Sequence, residues 1–169
     1  MLLAWIVSLS YIGYRHYPIR AGGAESRSEA SMSPILSIVV GATLLTVITI
    51  AYGGTFVLRA TTGGYPFNGL QKTFFRAGHA HAGVLVILGI VCALAQASAG
   101  VAGGWEWGAV GVLASAILVP AGFFLSVIGR DPQKPGRAMA LLWTGVVVLA
   151  FSLAVVGASV IAAGVAALG

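Results

Sequence analysis

The sequence predicts an all-α, polytopic membrane protein whose four transmembrane helices form an up-down bundle. Three observations carry that reading. The chain has 169 residues, of which 59% are hydrophobic and only 8% are charged, against roughly 25% charged in soluble domains. Its apolar residues gather into four runs near the ~20 residues a spanning helix needs. The connections between them are short and rich in Gly, Pro and charge.

The first full span is expected over residues 34–58. Pro34 suits the first helical turn, where its missing N–H costs nothing. Thr43, Thr46 and Thr49 recur every three residues and fall near one face, as helix back-bonding or interhelical contact requires. Gly53 and Gly54 are expected to loosen its end. Residues 61–73, TTGGYPFNGLQKT, read as a connection and match no phosphate loop. The second span covers 74–98. A loop with Trp105 and Trp107 follows, and paired tryptophans are interfacial anchors. The third span, 108–129, carries Pro120 in its interior, where a kink is expected. Arg130–Arg137 is a charged turn, and the fourth span, 138–167, has no charge and abundant Gly and Ala for close helix approach.

Residues 1–33 stand apart from this unit. Met1–Tyr14 is apolar but too short to span. Arg15–Ser33 is polar and reads as a tail. The expectation is that translation starts at Met32 or that residues 1–31 are dispensable, the alternative being an interfacial N-terminal helix. Charge supports this. Arg59, Lys72 and Arg76 flank the first connection and Arg130, Lys134 and Arg137 fill the third, while the second connection and the C-terminus have no Lys or Arg. The positive-inside rule then puts the first and third connections in the cytoplasm and the C-terminus outside. The basic tail Arg15–Arg27 would fall on the wrong side. The net charge of +5 is an orientation signal, and no nucleic-acid partner is expected.

Chemistry, if present, is expected on the second span, the one apolar run with ionisable groups inside it. His79 and His81 are two residues apart, a rotation of about 200° on a helix, so one regular helix cannot aim both at one metal. Phe75, Arg76, Ala82, Gly83, Val86 and Ile90 share the His79 face, and Leu85, Leu88 and Cys92 share that of His81. The small residues favour His79 as the inward, functional histidine, with Arg76 one turn below it. Ionisable groups inside a membrane are costly and usually functional, although both histidines are expected close to the cytoplasmic end, within one or two turns of Arg76, where the interface tolerates polar groups. A histidine in a bundle is a ready axial ligand for haem, and Arg76 suits a propionate. A second ligand would come from another subunit, a symmetry copy or Met139, whose packing role is the simpler reading. Hydrogen-bonded structural histidines and a proton or ion pathway are the alternatives. Zinc is disfavoured, since four ligands are lacking. Cys92 reads as a small buried hydrophobe. Spans without Asp or Glu argue against a hydrolase, so no enzyme activity is expected of the chain alone.

The run Arg76–Gly83, R-x-G-H-A-H-A-G, followed by V-P-A-G-F-F-L at Val119–Leu125 and D-P at Asp131–Pro132, resembles a group of small, uncharacterised four-span bacterial membrane proteins. The resemblance covers Pro34 to the C-terminus. The GHAH helix is also similar, more loosely, to the histidine-bearing second helix of haem–copper oxidase catalytic subunits. There a histidine ligates the low-spin haem, and His79 or His81 would match it. The further histidines for a second haem and copper are missing here, and the helices are too few, so oxygen reduction by this chain alone is not implied. The expectation is a haem-binding or redox-associated subunit working with other membrane subunits or its own copies. A cofactor-free scaffolding subunit and a small transporter or channel are the rival readings.

Overall fold

The computed structural model describes residues 32–101 and 103–168, and the expectations for residues 1–31 lie outside them. Four helices follow in order, α1 (Pro34–Thr61), α2 (Gly69–Ser98), α3 (Trp107–Ser126) and α4 (Met139–Ala166). All four are long and apolar enough to cross a membrane. The chain is all-helical among the described residues, a multi-pass membrane protein with the first and third connections at one end.

Each helix starts for a local reason. Ser33 accepts from the Leu36 N–H at 3.3 Å, and Pro34 opens α1 without wasting a donor. Asn68 and Gln71 form a reciprocal capping box. The Asn68 side chain accepts from the Gln71 N–H at 2.9 Å, and the Gln71 side chain accepts from the Asn68 N–H at 3.2 Å. That cap starts α2 five residues before the expected Phe74. α1 also outlasts its expected end at Leu58, because Gly53 and Gly54 lie inside the helix rather than loosening it. α3 stops at Ser126, three residues short of the expected 129. The backbone there turns away through Gly129, whose φ of +143° suits glycine. Pro120 is buried within α3, and the helix runs on through it.

The helices pack chiefly on their neighbours in sequence, and α1 and α4 never come backbone to backbone. α3 and α4 make the closest crossing. A Cβ built on Gly122 would lie 2.6 Å from the Leu142 Cα, and one on Gly145 would lie 2.9 Å from the Val119 N. Only hydrogen fits at either position, so the two backbones approach as small-residue membrane interfaces allow. α1 is the loosest member. Its flank of Ile38, Leu45, Ile48 and Tyr52 is exposed, the normal state of a helix bathed in lipid. Between α1 and α3 a cleft of about 500 Å³ opens, lined by Val39, Thr43, Thr46, Ile50, Val86 and Ile117 among others.

Two packed layers hold α1 on either side of that cleft. Toward its N-terminus, Leu36 and Val40 join Cys92, Ala93, Ala109, Val112 and Val156. Toward its C-terminus, Ala60 joins Phe75 and Val127, with Phe56, Phe67 and Phe124 packed around them. Phe67 meets Phe75 edge to face at 5.0 Å between ring centroids, and Phe75 stacks on Phe124 at 5.6 Å.

The α3–α4 crossing yields a prediction. Gly122→Val should destabilise the protein by about 3 kcal/mol or more, since overpacking here meets backbone. Gly157→Val, on the same pair of helices but facing open space, should change stability little. Equal thermal-denaturation midpoints for the two variants in detergent would reject a backbone-limited crossing.

Candidate functional site

α2 bears a buried amide near each end. Gln71 is 1% exposed and Gln96 0% exposed. The Gln71 Nε2 donates to the carbonyls of Val127 at 3.1 Å and Gly129 at 3.0 Å. Asn68 beside it donates to the Asp131 Oδ1 at 2.7 Å and the Pro132 carbonyl at 2.8 Å. Together they fasten the first connection to the third. At the other end the Gln96 Nε2 donates to the Trp105 carbonyl at 2.8 Å and the Ser159 Oγ at 2.9 Å, and its Oε1 accepts from the Ala109 N–H at 3.3 Å. Gln96 thus joins α2, the second connection, α3 and α4.

The latches lie near opposite ends of α2. Gln71 and Gln96 are 25 residues apart in one helix, about 37 Å at 1.5 Å per residue, enough to bracket a hydrocarbon core of about 30 Å. Their midpoint falls between Gly83 and Val84. His81 lies only about 4 Å from that level and His79 about 7 Å. Arg76 lies about 11 Å from it, near one hydrocarbon edge.

The two imidazoles leave α2 on different sides, as two residues of helix dictate. His79 is partly buried in the α1–α2 seam. It lies over the two glycines of α1: a Cβ on Gly54 would sit 3.3 Å from the His79 Nε2, and one on Gly53 3.9 Å from its Nδ1. The ring therefore occupies the space those glycines leave. Both its nitrogens are close to α1, so a group the size of haem has no room at this imidazole while α1 is seated.

His81 is exposed on the opposite flank. Its Nδ1 lies 2.8 Å from the Ala77 carbonyl oxygen. A carbonyl only accepts, so Nδ1 carries a proton and donates, and in the neutral imidazole Nε2 is the nitrogen with the lone pair. An imidazole N–H held by a backbone carbonyl in this way fixes tautomer and ring angle in ligating histidines. The ring rests beside Phe123 of α3, 5.1 Å between centroids, and Phe123 meets Phe74 edge to face at 5.6 Å.

The surrounding residues sort differently from the sequence expectation. Leu85 and Cys92, expected on the His81 face, are buried, whereas His81 itself is exposed. Gly83, expected to admit a close neighbour, faces open space; Gly78 and Gly89 instead receive Phe124 and Leu113 of α3. Met139 packs on a core layer of Leu85, Val86, Ala116, Val119 and Leu142. The hydroxyls of Thr43, Thr46 and Thr49 donate to carbonyls of their own helix at 2.6–2.7 Å, which occupies the polar hydrogens a transport path would use. No three His, Cys, Asp or Glu side chains gather into a metal-binding group among the described residues.

The His79–glycine seam is testable by a double-mutant cycle. Gly54→Ala should lower stability in the otherwise unchanged protein, because the imidazole must yield, and should be neutral or stabilising beside His79→Ala, where the methyl group fills vacated space. A coupling energy of about 1 kcal/mol is expected for residues in such contact, and a coupling of zero would remove His79 from the seam.

No protein-family model matches the chain, and no curated protein or solved structure matches it either.

Proposed function

We propose that this protein is a subunit of a membrane redox assembly, in which His81 offers its Nε2 as an axial ligand to a haem held between the α2–α3 flank and a neighbouring chain. The observation that carries this reading is an exposed imidazole near the midpoint of α2 whose Nδ1–H is already committed to the Ala77 carbonyl. A polar nitrogen facing hydrocarbon is costly and calls for a partner. Haem, when bound, would supply one-electron transfer. The chain's own part is to set the ring. The Ala77 carbonyl selects the tautomer, and Phe123 supports one face of the imidazole. Arg76, exposed toward the basic end, suits a haem carboxylate through charge-assisted hydrogen bonds. His79 serves packing in this reading, because ligation there requires α1 to leave its seat.

The donor set fits a shared site. Among the described residues one imidazole nitrogen, His81 Nε2, is free on an outer face, so the second axial ligand belongs to another subunit or a second copy. The distribution of Lys and Arg favours the basic end inward and the C-terminus outside, and the resemblance to small bacterial four-span proteins suggests a bacterial cytoplasmic membrane. A cofactor-free accessory subunit is the second reading. The same lone pair on His81 would accept a hydrogen bond from a partner helix, and the occupied His79 seam needs no cofactor.

Absorption spectra separate the two. Protein purified from cells supplied with haem should show a Soret band that His81→Ala abolishes and His79→Ala leaves in place. Absence of the band in the unaltered protein, with stable partners still co-purifying, would favour the accessory subunit. Loss of the band on His79→Ala alone would transfer the ligand role to His79.

A further inference from the structure

Six cations surround one end of the molecule: Arg59, Lys72, Arg76, Arg130, Lys134 and Arg137. Five of them are exposed and Lys72 is partly so. Three come from the α1–α2 region and three from the α3–α4 connection, and the fold makes them one surface. Asn68 ties the two connections together through Asp131 and Pro132, and Gln71 does so through Val127 and Gly129. Asp131 is the one acid at this end among the described residues, and its Oδ1 is engaged by the Asn68 amide. Glu106 lies at the far end, beside Trp105 and Trp107.

We infer that this end is a docking surface for the phosphate headgroups of anionic phospholipids. Charge complementarity selects an anion, and depth selects its source. The Arg76 backbone lies about 11 Å from the midpoint of α2, inside the edge of a ~30 Å hydrocarbon core. Its guanidinium must therefore snorkel outward along the helix to the headgroup level. A cation at that height on a lipid-facing flank meets phosphates fixed in the membrane plane. Arg59, Arg130, Lys134 and Arg137 continue the same surface from the helix ends into the connection. The inference uses neither histidine and shares only Arg76 with the haem reading, so Arg130, Lys134 and Arg137, which that reading does not use, keep the two distinguishable.

The test reconstitutes the full chain into nanodiscs of phosphatidylcholine mixed with phosphatidylglycerol, and measures the lipid that stays bound on extraction. Phosphatidylglycerol should be enriched over its bulk share, less so as salt shortens the ~10 Å screening length found at 0.1 M. Arg76→Gln alone should lower the enrichment about fivefold, the effect of one basic residue near an anionic surface. Arg130→Gln/Lys134→Gln/Arg137→Gln should lower it much further, and Glu106→Gln should leave it unchanged. Circular dichroism identifies any variant that fails to fold, and the single Arg76→Gln variant then carries the test. Bound lipid at the bulk ratio would overturn the inference. So would undiminished enrichment in folded Arg76→Gln and triple variants. Inorganic phosphate stabilising the protein in pure phosphatidylcholine as well as phosphatidylglycerol does would assign the surface to free phosphate and overturn it too.

Discussion

Hydrocarbon offers no hydrogen bonds, so every polar group inside this protein must find its partner within the protein. That constraint accounts for most of what the four helices do. Threonine hydroxyls on α1 turn back onto their own helix. Ser115, Ser126 and Ser159 do the same on α3 and α4, each donating to the carbonyl three residues earlier. No buried side-chain nitrogen or oxygen is left without a partner among the described residues. The two buried glutamines meet the constraint more productively, spending three hydrogen bonds each on backbone and side-chain groups of other elements as well as their own. The apolar surfaces supply shape and the amides supply register. The imidazoles stand out against this background: His79 makes no hydrogen bond among the described residues but is packed into the α1–α2 seam, whereas the exposed His81 Nε2, near the midpoint of α2, satisfies the constraint only when something else covers it.

The bundle is uneven in consequence. α3 and α4 touch nearly backbone to backbone, while α1 is held at two layers with a cleft between them. Membrane helices gain little from burying apolar surface against one another, since lipid is as apolar as leucine. Close approach of small residues and shared hydrogen bonds decide the order of tightness. α3 has both, through Gly122 and the Gln96 network. α1 has neither in comparable strength. Its seat relies on aromatic packing near Phe75 and on an imidazole laid over two glycines.

The spans were legible because apolar run length and the solvent fix each other. Their ends were not, where polar residues serve the helix rather than the loop. TTGGYPFNGLQKT looks like punctuation, yet the N-x-x-Q pattern at Asn68 and Gln71 is a capping-box signal that moves the start of α2 to Gly69. Gln96 carried a signal too, a lone amide in an apolar run just before the next connection. The divergence of His79 and His81 followed from helix geometry alone. Their destinations did not, because the side each faces depends on which neighbour brings its small residues. Those were Gly53 and Gly54 of α1 for His79, residues whose spacing resembles a frayed helix end. Gly83, the obvious small residue near the histidines, leaves a side-chain position that no neighbour fills.

The spacing of the two amide latches also fixes what bilayer the protein suits. Both latches are tied to connections and helix ends, so α2 cannot slide past α3 to shorten its reach without breaking hydrogen bonds at both levels. A thinner membrane must therefore be met by tilting the whole α2–α3–α4 unit or by compressing the surrounding lipid, each at a modest cost per ångström of mismatch. α1, lacking such ties at mid-depth, is the helix with freedom to change its own angle. Membrane thickness thus acts on the cleft beside α1 before it acts on the rest of the structure.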